Sequence, residues 1–257
     1  MIKRLLAHPL TRGLSLDDPS TTHLRRSVIA SKPFLKQIYQ EWYQLLTSVM
    51  PAGPGGVLEL GSGAGFLAEY VPDLITSEIF YLSSIQAVLD GCFLPFPAAS
   101  LRAVMLTDVL HHIPAARRFF AEAGRCVRPG GVVAMIEPWV SPWSTLVYTR
   151  LHHEPFVPDT PGWEFTSLGP LTSANGAMPW IIFERDRLEF ERAFPEWQIE
   201  RIAPMMPFRY LLSGGISLRS LMPGFSFGFW RLLEQALQPQ MKNLAMFALI
   251  VLRRKNL

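Results

Sequence analysis

Apolar residues follow a helical spacing near the start of this chain and form short continuous runs from Val57 onward. Between residues 31 and 50, apolar side chains recur every three or four positions, which predicts a helix with one face against a core. Ser31 is placed to cap this helix, and Pro33 suits its first turn. The proline and glycine residues of segment 51–56 then end it.

From Val57 onward, short continuous apolar runs alternate with helical patterns. Uninterrupted runs of Val, Ile and Leu are typical of strands covered on both faces, as in a parallel α/β sheet. The pattern therefore predicts a doubly wound core. Its predicted strands are 57–60, 74–79, 101–106 and 132–137, and its predicted helices begin at residues 65 and 114, the second ending at the RPGG of 128–131.

Two segments interrupt the second half of the chain. Residues 138–180 are rich in Pro, Trp and Gly and are too long for a simple connection, so they predict a lid over a site. A helix at 185–194 and strands at 197–204 and 245–252 follow, with an apolar insertion between the two strands.

Composition narrows the class of protein. A chain of 257 residues suits one sizeable domain. Hydrophobic residues make up 49% and charged residues 18%, which indicates apolar surface beyond that of a core. The net charge is +3, but the basic residues are scattered, so no nucleic-acid interface is expected. Cys92 and Cys126 are too far apart in the sequence to indicate a metal cage or a disulfide scaffold.

The apolar segments are too short to span a bilayer. The longest run, 244–252, has nine residues, whereas a spanning helix needs about 20. The first residues lack the apolar core of a secretory signal, so a cytoplasmic protein is expected. Arg209 and Arg219 interrupt the apolar insertion, which is compatible with a peripheral membrane contact or with a helical cap over the sheet.

The most informative stretch is a glycine turn after the first predicted strand. Glu59 is followed by Gly61, Gly63 and Gly65, which lets a ligand approach the backbone closely. A dinucleotide fingerprint would need a third glycine at position 66, where the chain has Phe66. A carboxylate ahead of the turn favours a cationic ligand over a pyrophosphate.

This glycine turn resembles motif I of the class I methyltransferases that use S-adenosylmethionine (SAM). Residues 88–113, VLDGCFLPFPAASLRAVMLTDVLHHI, followed by RPGG at 128–131, are similar to the matching stretch of the type 11, ubiquinone-biosynthesis-like methyltransferases. The resemblance covers about residues 55–137. It implies SAM as the cofactor, since SAM has an ammonium and a sulfonium but no phosphate.

The resemblance also implies the architecture. We expect a Rossmann-like, doubly wound and mostly parallel sheet of seven strands with a reversed C-terminal strand. One domain would comprise all 257 residues. Its parts would be an N-terminal helical cover at 1–54, a SAM-binding core at 55–137, a lid insertion at 138–183, and a C-terminal sheet half at 184–257 with its apolar insertion at 205–243.

The family's pattern assigns cofactor-binding positions to this chain. Glu78, at the end of the second strand, would bind the ribose hydroxyls, and Asp90 would contact the adenine amino group. Only twelve positions separate these two residues, so the connection between strands two and three is expected to be a stub or a loop. The full set implied is Glu59, Gly61, Ser62, Gly63, Gly65, Glu78, Asp90, Gly91, Cys92 and Thr107.

Candidate catalytic residues follow the next two strands. His111 and His112 come after the predicted strand 101–106, and Glu137 ends the predicted strand 132–137. Both places are at the sheet edge where open α/β sheets bind ligands. Either histidine could accept a proton from the acceptor. The alternative is that one packs in the pocket and the other caps a helix or faces solvent. Glu137 could orient the acceptor or hold the lid, and Asp108 could cap the helix that follows it.

The lid contains two further sets of interest. His152, His153 and Glu154 are adjacent in irregular chain and would supply only one or two usable ligands, so no metal site is predicted. An aromatic set could line an apolar acceptor pocket or form the core of the lid. This set is Trp139, Trp143, Tyr148, Trp163 and Trp180.

The favoured function is SAM-dependent methyl transfer to a small-molecule or lipid-like acceptor. Two alternatives stay open at this point. A nicotinamide-dependent oxidoreductase is disfavoured by Phe66. A non-catalytic, SAM-binding protein at a membrane surface is suggested by the apolar insertion.

Overall fold

The computed structural model describes residues 19–152, 154–166, 169 and 173–256. Within them, seven strands form one sheet in the order β3-β2-β1-β4-β5-β7-β6. Strand β7 is antiparallel to β5 and β6, and the other pairs are parallel. The predicted fold class is confirmed. The strands are β1 Gly56–Leu60, β2 Leu74–Glu78, β3 Ala87–Val88, β4 Leu101–Thr107, β5 Val127–Pro138, β6 Trp197–Met205 and β7 Phe247–Arg254.

Helices cover the sheet and its carboxyl edge. The longer ones are α1 Pro19–Ser31, α2 Pro33–Ser48, α3 Ala116–Cys126, α4 Pro142–Leu151, α5 Arg187–Ala193, α6 Arg209–Ser213, α7 Phe227–Ala236 and α8 Met241–Leu244. A helical turn Met178–Trp180 continues into the π-helical Ile181–Arg185. Single 3₁₀ turns occur at Leu67–Glu69, Leu110–His112, Gly224–Ser226 and Gln238–Gln240.

The helix predicted at 31–50 is α2, and its start differs from the prediction. Pro33 occupies the first helical position, as expected, but Lys32 is the capping residue. The Ser31 hydroxyl instead donates a hydrogen bond to the Val28 carbonyl and ends α1. The expected apolar face is buried: the Trp42 ring lies 5.0 Å from the ring of Phe247 in β7. This contact places α2 against the sheet.

The chain after the glycine turn is less helical than predicted. The pattern starting at residue 65 forms only the 3₁₀ turn Leu67–Glu69. The Phe66 N–H donates to the Tyr43 hydroxyl of α2 at 3.1 Å, so the backbone bonds to another element here. The expected loop between strands two and three is confirmed, because no helix separates Glu78 from the two-residue β3.

Strand β5 begins earlier than predicted. Segment 128–131 ends helix α3, as expected, but it already belongs to the strand that starts at Val127. The buried residues of β4 and β5 form the centre of the core, and 103–106 and 132–136 are completely inaccessible. Helices on both faces of the sheet account for the continuous apolar pattern of these strands.

The two insertions fold as helices. In the lid, Ser141 and Ser144 form a reciprocal capping box at the start of α4. In the apolar insertion, the buried Arg209 of α6 forms ion pairs with Glu41 of α2 and Glu234 of α7. The inner side of the insertion is therefore a helical cap over α2. In the described part of the chain, no helix is both long and apolar enough to cross a membrane.

Candidate active site

A cavity of about 810 Å³ opens at the carboxyl ends of β1, β2 and β4. Helices α1, α2, α4 and α6 and the segment 214–218 contribute to its walls. Its size lies within the range of ligand pockets, about 300–1,000 Å³. This position is the one at which open α/β sheets bind ligands. Both insertions reach the cavity, so they shape part of its wall.

The glycine turn forms the floor of one half of this cavity. Gly61 and Gly63 have φ values of +71° and +45°, which favour glycine. Gly65 is restricted for a different reason, since a Cβ there would lie 2.5 Å from the Tyr43 hydroxyl. The turn therefore packs tightly against α2 and presents its backbone to the cavity.

Two acidic side chains border the glycine turn. Glu59 is only 3% exposed, and it lines the cavity. Burial raises the pKa of Glu59 to about 7, opposed by a hydrogen bond with Ser62 and reinforced by Glu78. Burial also raises the pKa of Glu78, although its carboxylate accepts a 2.9 Å hydrogen bond from the Ile79 N–H. A cation near these groups would stabilise their ionised forms.

Asp90 and Gly91 line the cavity on the side of β2 and β3. The Asp90 carboxylate accepts a 2.8 Å hydrogen bond from the Cys92 N–H. The Cys92 side chain is not among the described lining residues, and its Sγ is directed towards the Ala115 carbonyl at 3.6 Å. Cys92 was expected to bind the cofactor, but its contribution is to hold the Asp90 turn through its backbone.

The remaining two expected cofactor residues also line the cavity. Ser62 accepts a hydrogen bond from the Ser77 N–H through its hydroxyl at 3.1 Å, which fixes the glycine turn to β2. The Thr107 hydroxyl, at the end of β4, is buried without a hydrogen-bond partner among the described residues. A buried hydroxyl without a partner costs free energy, and a bound ligand could satisfy it.

His111 and Glu137 form a buried pair. His111 Nδ1 lies 2.8 Å from Glu137 Oε2, and Glu137 Oε1 accepts hydrogen bonds from the Val109 and Leu110 N–H groups. Glu137 is fully buried and is not among the described lining residues. The expectation that Glu137 faces the acceptor is therefore corrected: both of its oxygens are used to hold the turn that follows β4.

The pKa values of the two histidines are shifted in opposite directions. Burial alone would lower the pKa of His111, but the carboxylates of Glu137 and Glu154 raise it well above its usual value. Burial and the neighbouring His111 lower the pKa of His112 to about 3. His112 lines the cavity, with Nδ1 3.3 Å from the Ser173 carbonyl, whereas His111 lies behind it. Neither histidine has the near-neutral pKa of a good general base.

Asp108 was expected to cap a helix, but it faces the cavity. Its φ of +63° is unusual for a residue with a side chain. Burial raises the pKa of Asp108 to about 7, with His111 lowering it and Glu154 and Glu137 raising it further. Strained backbone of this kind is concentrated at functional sites. Its pKa makes Asp108 better suited to accept a proton than either histidine.

The lid brings Glu154 to the two histidines, which the sequence did not predict. Glu154 Oε2 lies 3.6 Å from His111 Nε2, and Glu154 Oε1 lies 3.9 Å from His112 Nε2. These histidines and His152 hold the pKa of Glu154 well below its usual range against the effect of burial. His153 lies outside the described residues.

Four tyrosines are among the described residues that line the cavity. Tyr148 belongs to the predicted aromatic set, but Tyr39, Tyr43 and Tyr210 were not identified as site residues. The only signal for Tyr39 and Tyr43 was their spacing of four on α2, which places them on one helix face. Four tryptophans of the set are not among the described lining residues and belong to the hydrophobic core of the domain or pack against it: Trp139, Trp143, Trp163 and Trp180.

Comparisons with known proteins agree with this geometry. A family model described as a methyltransferase domain matches residues 58–135. A comparison with curated proteins finds no match.

Solved structures show the same fold over nearly the whole chain. A geranyl diphosphate C-methyltransferase from Streptomyces coelicolor A3(2), solved with Mg²⁺, geranyl diphosphate and S-adenosylhomocysteine, is 14% identical, with a TM-score of 0.52 over 97% of this chain and 90% of that chain. A complex of the Haloferax volcanii Trm112 methyltransferase activator with a methyltransferase gives 12% identity and a TM-score of 0.54 over 95% of this chain and 99% of that chain.

Residues 58–135 match the type 11 methyltransferase domain family, as the sequence predicted. The chain also has the fold of solved methyltransferases. A geranyl diphosphate methyltransferase with the same fold was solved in complex with SAM, at 14% identity and a TM-score of 0.50. This result favours the methyltransferase interpretation over the nicotinamide-dependent oxidoreductase.

Proposed function

We propose that this protein transfers a methyl group from SAM to a small-molecule or lipid-like acceptor inside the cavity. The observation that supports this most directly is the continuity of the cavity. It joins the glycine turn, with its acidic border, to an outer half lined by tyrosines, Asp108 and His112. Donor and acceptor could therefore meet without leaving the protein.

The residues around the glycine turn fit SAM. Glu59 offers a buried carboxylate for a cation, and Glu78 and Asp90 offer acceptors for hydroxyl and amino groups. The unpartnered Thr107 hydroxyl would gain a hydrogen bond from a ligand at the end of β4. Gly61, Ser62, Gly63, Gly65 and Gly91 would let the ligand approach the backbone.

The chain's contribution to the chemistry is mainly positional. SAM supplies an electrophilic methyl group on a sulfonium. The protein has to hold the acceptor atom roughly 3 Å from that carbon and exclude water. We assign the outer tyrosines to excluding water and Asp108 to accepting any proton that the acceptor loses at a carboxylate oxygen. His112 would orient the acceptor, and His111 and Glu137 would position the turn that holds Asp108 and His112.

Charge favours a neutral or cationic acceptor. Among the described lining residues, the carboxylates are Glu59, Glu78, Asp90, Asp108 and Glu154, whereas Arg25 is the only lysine or arginine. Without a bound cation, a diphosphate group would meet this acidic lining at an electrostatic cost. The geranyl diphosphate bound by the Streptomyces enzyme is therefore less suitable here than an uncharged apolar molecule.

Calorimetric titration with SAM and S-adenosylhomocysteine tests the donor half of this proposal. Saturable binding of both ligands, weakened at pH 8 by Glu59→Gln, is expected. A chain with native circular dichroism that gives no heat at millimolar ligand would contradict it. For the acceptor half, extracted metabolites and lipids would be incubated with SAM labelled on its methyl group, and label in an uncharged apolar product is the expected result.

We also propose that the outer side of the apolar insertion contacts a membrane surface. Phe225 is 91% exposed, Phe229 65% and Leu232 64%, and the exposed Arg231 lies beside them. Apolar side chains next to a cation suit the boundary of an anionic bilayer. Flotation with anionic vesicles should recover the protein, and the double variant Phe225→Ser/Phe229→Ser should stay unbound. Equal flotation of both proteins would contradict this contact.

A further inference from the structure

Three potential ligand groups converge beside the cavity from two distant segments. His111 and His112 follow β4, and Glu154 comes from the lid. Each of them offers one nitrogen or oxygen, and these atoms all lie within 4.8 Å of one another. The Asp108 carboxylate borders the same group, with Oδ1 4.0 Å from His111 Nε2.

The buried nitrogen of His111 points to a missing partner. His111 is completely buried, and its Nε2 has no hydrogen-bond partner among the described residues. The carboxylates of Glu154 and Asp108 lie 3.6 Å and 4.0 Å from this nitrogen, both beyond hydrogen-bond distance. A buried polar atom left unpaired costs about 1–3 kcal/mol. The surroundings are polar, so a ligand at this point would recover that cost.

The other face of His111 has the arrangement found behind metal-ligating histidines. Nδ1 lies 2.8 Å from the buried Glu137 carboxylate. Such a carboxylate fixes the ring orientation and holds the proton on Nδ1, so a cation that displaces the proton from Nε2 can bind the lone pair there. The fully buried Glu137 thus performs for His111 the role of an orienting partner.

We propose that His111, His112 and Glu154 bind a divalent transition-metal ion, with the Asp108 carboxylate beside this set. Two imidazoles and a carboxylate suit Zn²⁺, Fe²⁺ or Mn²⁺ better than Mg²⁺ or Ca²⁺, which prefer oxygen. With metal–ligand bonds of about 2.0–2.2 Å, ligand atoms lie roughly 3.3 Å apart. The two separations from Glu154, 3.6 Å and 3.9 Å, would shorten by about 0.3–0.6 Å, and the other separations, all within 4.8 Å, by up to about 1.5 Å.

The ion would lie at the acceptor half of the cavity. Asp108, His112 and Glu154 all line it, so an open coordination position would face an acceptor oxygen. A bound cation lowers the pKa of a coordinated hydroxyl and so favours its ionised, nucleophilic form. This role rests on the proposed methyl transfer, whereas binding of the ion does not.

Cobalt provides a probe that reports binding without an activity assay. The full-length chain would be freed of metal with a chelator and titrated with Co²⁺, while visible absorption and the bound metal are measured. One equivalent of Co²⁺ with d–d bands of four- or five-coordinate cobalt is expected. Zn²⁺ added afterwards should displace it and remove the bands.

Variants identify the ligands. His112→Gln and Glu154→Gln should each weaken Co²⁺ binding at least about 100-fold, and Glu137→Gln, which removes only an orienting partner, about 10–100-fold. His152→Gln is the matched control: its Nδ1 is 3.8 Å from Glu154, but it does not belong to the converging set, and it should keep wild-type binding. Circular dichroism and binding of S-adenosylhomocysteine check folding in each sample.

Three results would overturn the site. They are the absence of stoichiometric Co²⁺ binding, unchanged binding in both His112→Gln and Glu154→Gln, and a loss in His152→Gln equal to that in His112→Gln. Binding of S-adenosylhomocysteine in the same samples separates this failure from failure of the proposed function. A chain that binds S-adenosylhomocysteine but no cobalt would refute only the metal site.

Discussion

His111 and Glu137 join the ends of two neighbouring strands through a 2.8 Å contact between His111 Nδ1 and Glu137 Oε2. The second Glu137 oxygen accepts the N–H groups of Val109 and Leu110 at 2.9 Å and 2.7 Å. One buried carboxylate at the end of β5 therefore fixes the turn after β4. That turn places Asp108 and His112 at the cavity, so its rigidity matters for function although Glu137 touches no ligand.

Replacing Glu137 with Gln should destabilise the fold more than it weakens donor binding. The Glu137 carboxylate is fully buried and accepts hydrogen bonds from two backbone N–H groups beside its contact with His111. The variant loses the negative charge that strengthens these contacts. A loss of about 1–3 kcal/mol in the free energy of unfolding is expected, measured by urea denaturation. Affinity for S-adenosylhomocysteine should change less than about threefold, which corresponds to under 1 kcal/mol.

The control for that variant is Glu191→Gln, which removes an exposed ion pair with Arg187 on α5. Such pairs contribute about 0–1 kcal/mol, so almost no change is expected. Equal stability of Glu137→Gln and the wild type would show that the buried contact does not hold the turn.

Binding of SAM should strengthen as the pH rises from 6 to 8. In the ligand-free protein the pKa of Glu59 is raised to about 7, so this carboxyl is largely neutral at pH 6 and ionised at pH 8. If the cationic donor binds only the ionised form, affinity falls about tenfold for each pH unit below 7. Calorimetry in buffers of different ionisation enthalpy should detect proton release at pH 6.5.

Glu59→Gln should remove most of that pH dependence, and Asp108→Asn, which removes the other group with a pKa of about 7, should remove the remainder. The raised pKa of Glu59 also affects the stability of the fold. The folded, ligand-free state binds a proton at Glu59 more tightly than the unfolded chain, so this group's contribution becomes less favourable as the pH rises from about 4.5 to 7. A SAM affinity that is constant from pH 6 to 8 would contradict the assignment of Glu59 as the carboxylate that binds the cationic donor.

Gly65→Ala should impair both folding and donor binding. The new Cβ would lie 2.5 Å from the Tyr43 hydroxyl and 2.9 Å from the Ser62 carbonyl, so the turn or α2 has to move. Such overpacking costs about 1–3 kcal/mol. Thermal unfolding and S-adenosylhomocysteine titration would measure the two effects.

Gly228→Ala provides the comparison, because beyond the adjacent residues and the helix backbone no described atom lies within 4 Å of a Cβ at this position of α7. Alanine favours a helix over glycine by about 1 kcal/mol, so unchanged or slightly higher stability is expected. A Gly65→Ala protein as stable as Gly228→Ala would show that the turn is not packed as described.

Arg209→Ala should detach the helical cap from α2. The guanidinium is nearly inaccessible and pairs with Glu234, which is also buried, and with Glu41. Removing one partner leaves a buried charge without compensation, which costs about 3–5 kcal/mol. Hydrogen exchange should show faster exchange in segment 205–243. The exposed Arg187→Ala serves as the control, and equal exchange in both variants would rule out this role.

The sequence predicted the core of the fold because its signals there are local. Continuous apolar runs identified the central strands, and the glycine spacing after Glu59 identified the floor of the cavity. The twelve positions between Glu78 and Asp90 correctly excluded a helix, because chain length alone limits what can form between two strand ends.

The outer half of the site could not be predicted in the same way. Tyr43 and Tyr210 reach the cavity through the packing of α2 and α6, and Glu154 approaches His111 across 43 positions of sequence. Such contacts depend on tertiary packing, which has no local pattern. Asp108 was interpreted as a helix cap because the local sequence shows neither its positive φ nor its place at the cavity. Its N–H donates a hydrogen bond to the Ile136 carbonyl of β5, a contact between distant segments.

The most direct test of the central claim is a crystal structure of this chain with S-adenosylhomocysteine. We expect the ligand to lie along the turn from Gly61 to Gly65, with its amino acid end near Glu59, its ribose hydroxyls at Glu78 and its adenine beside Asp90. A complex in which the ligand lies elsewhere, or a cavity that stays empty at saturating ligand, would contradict it.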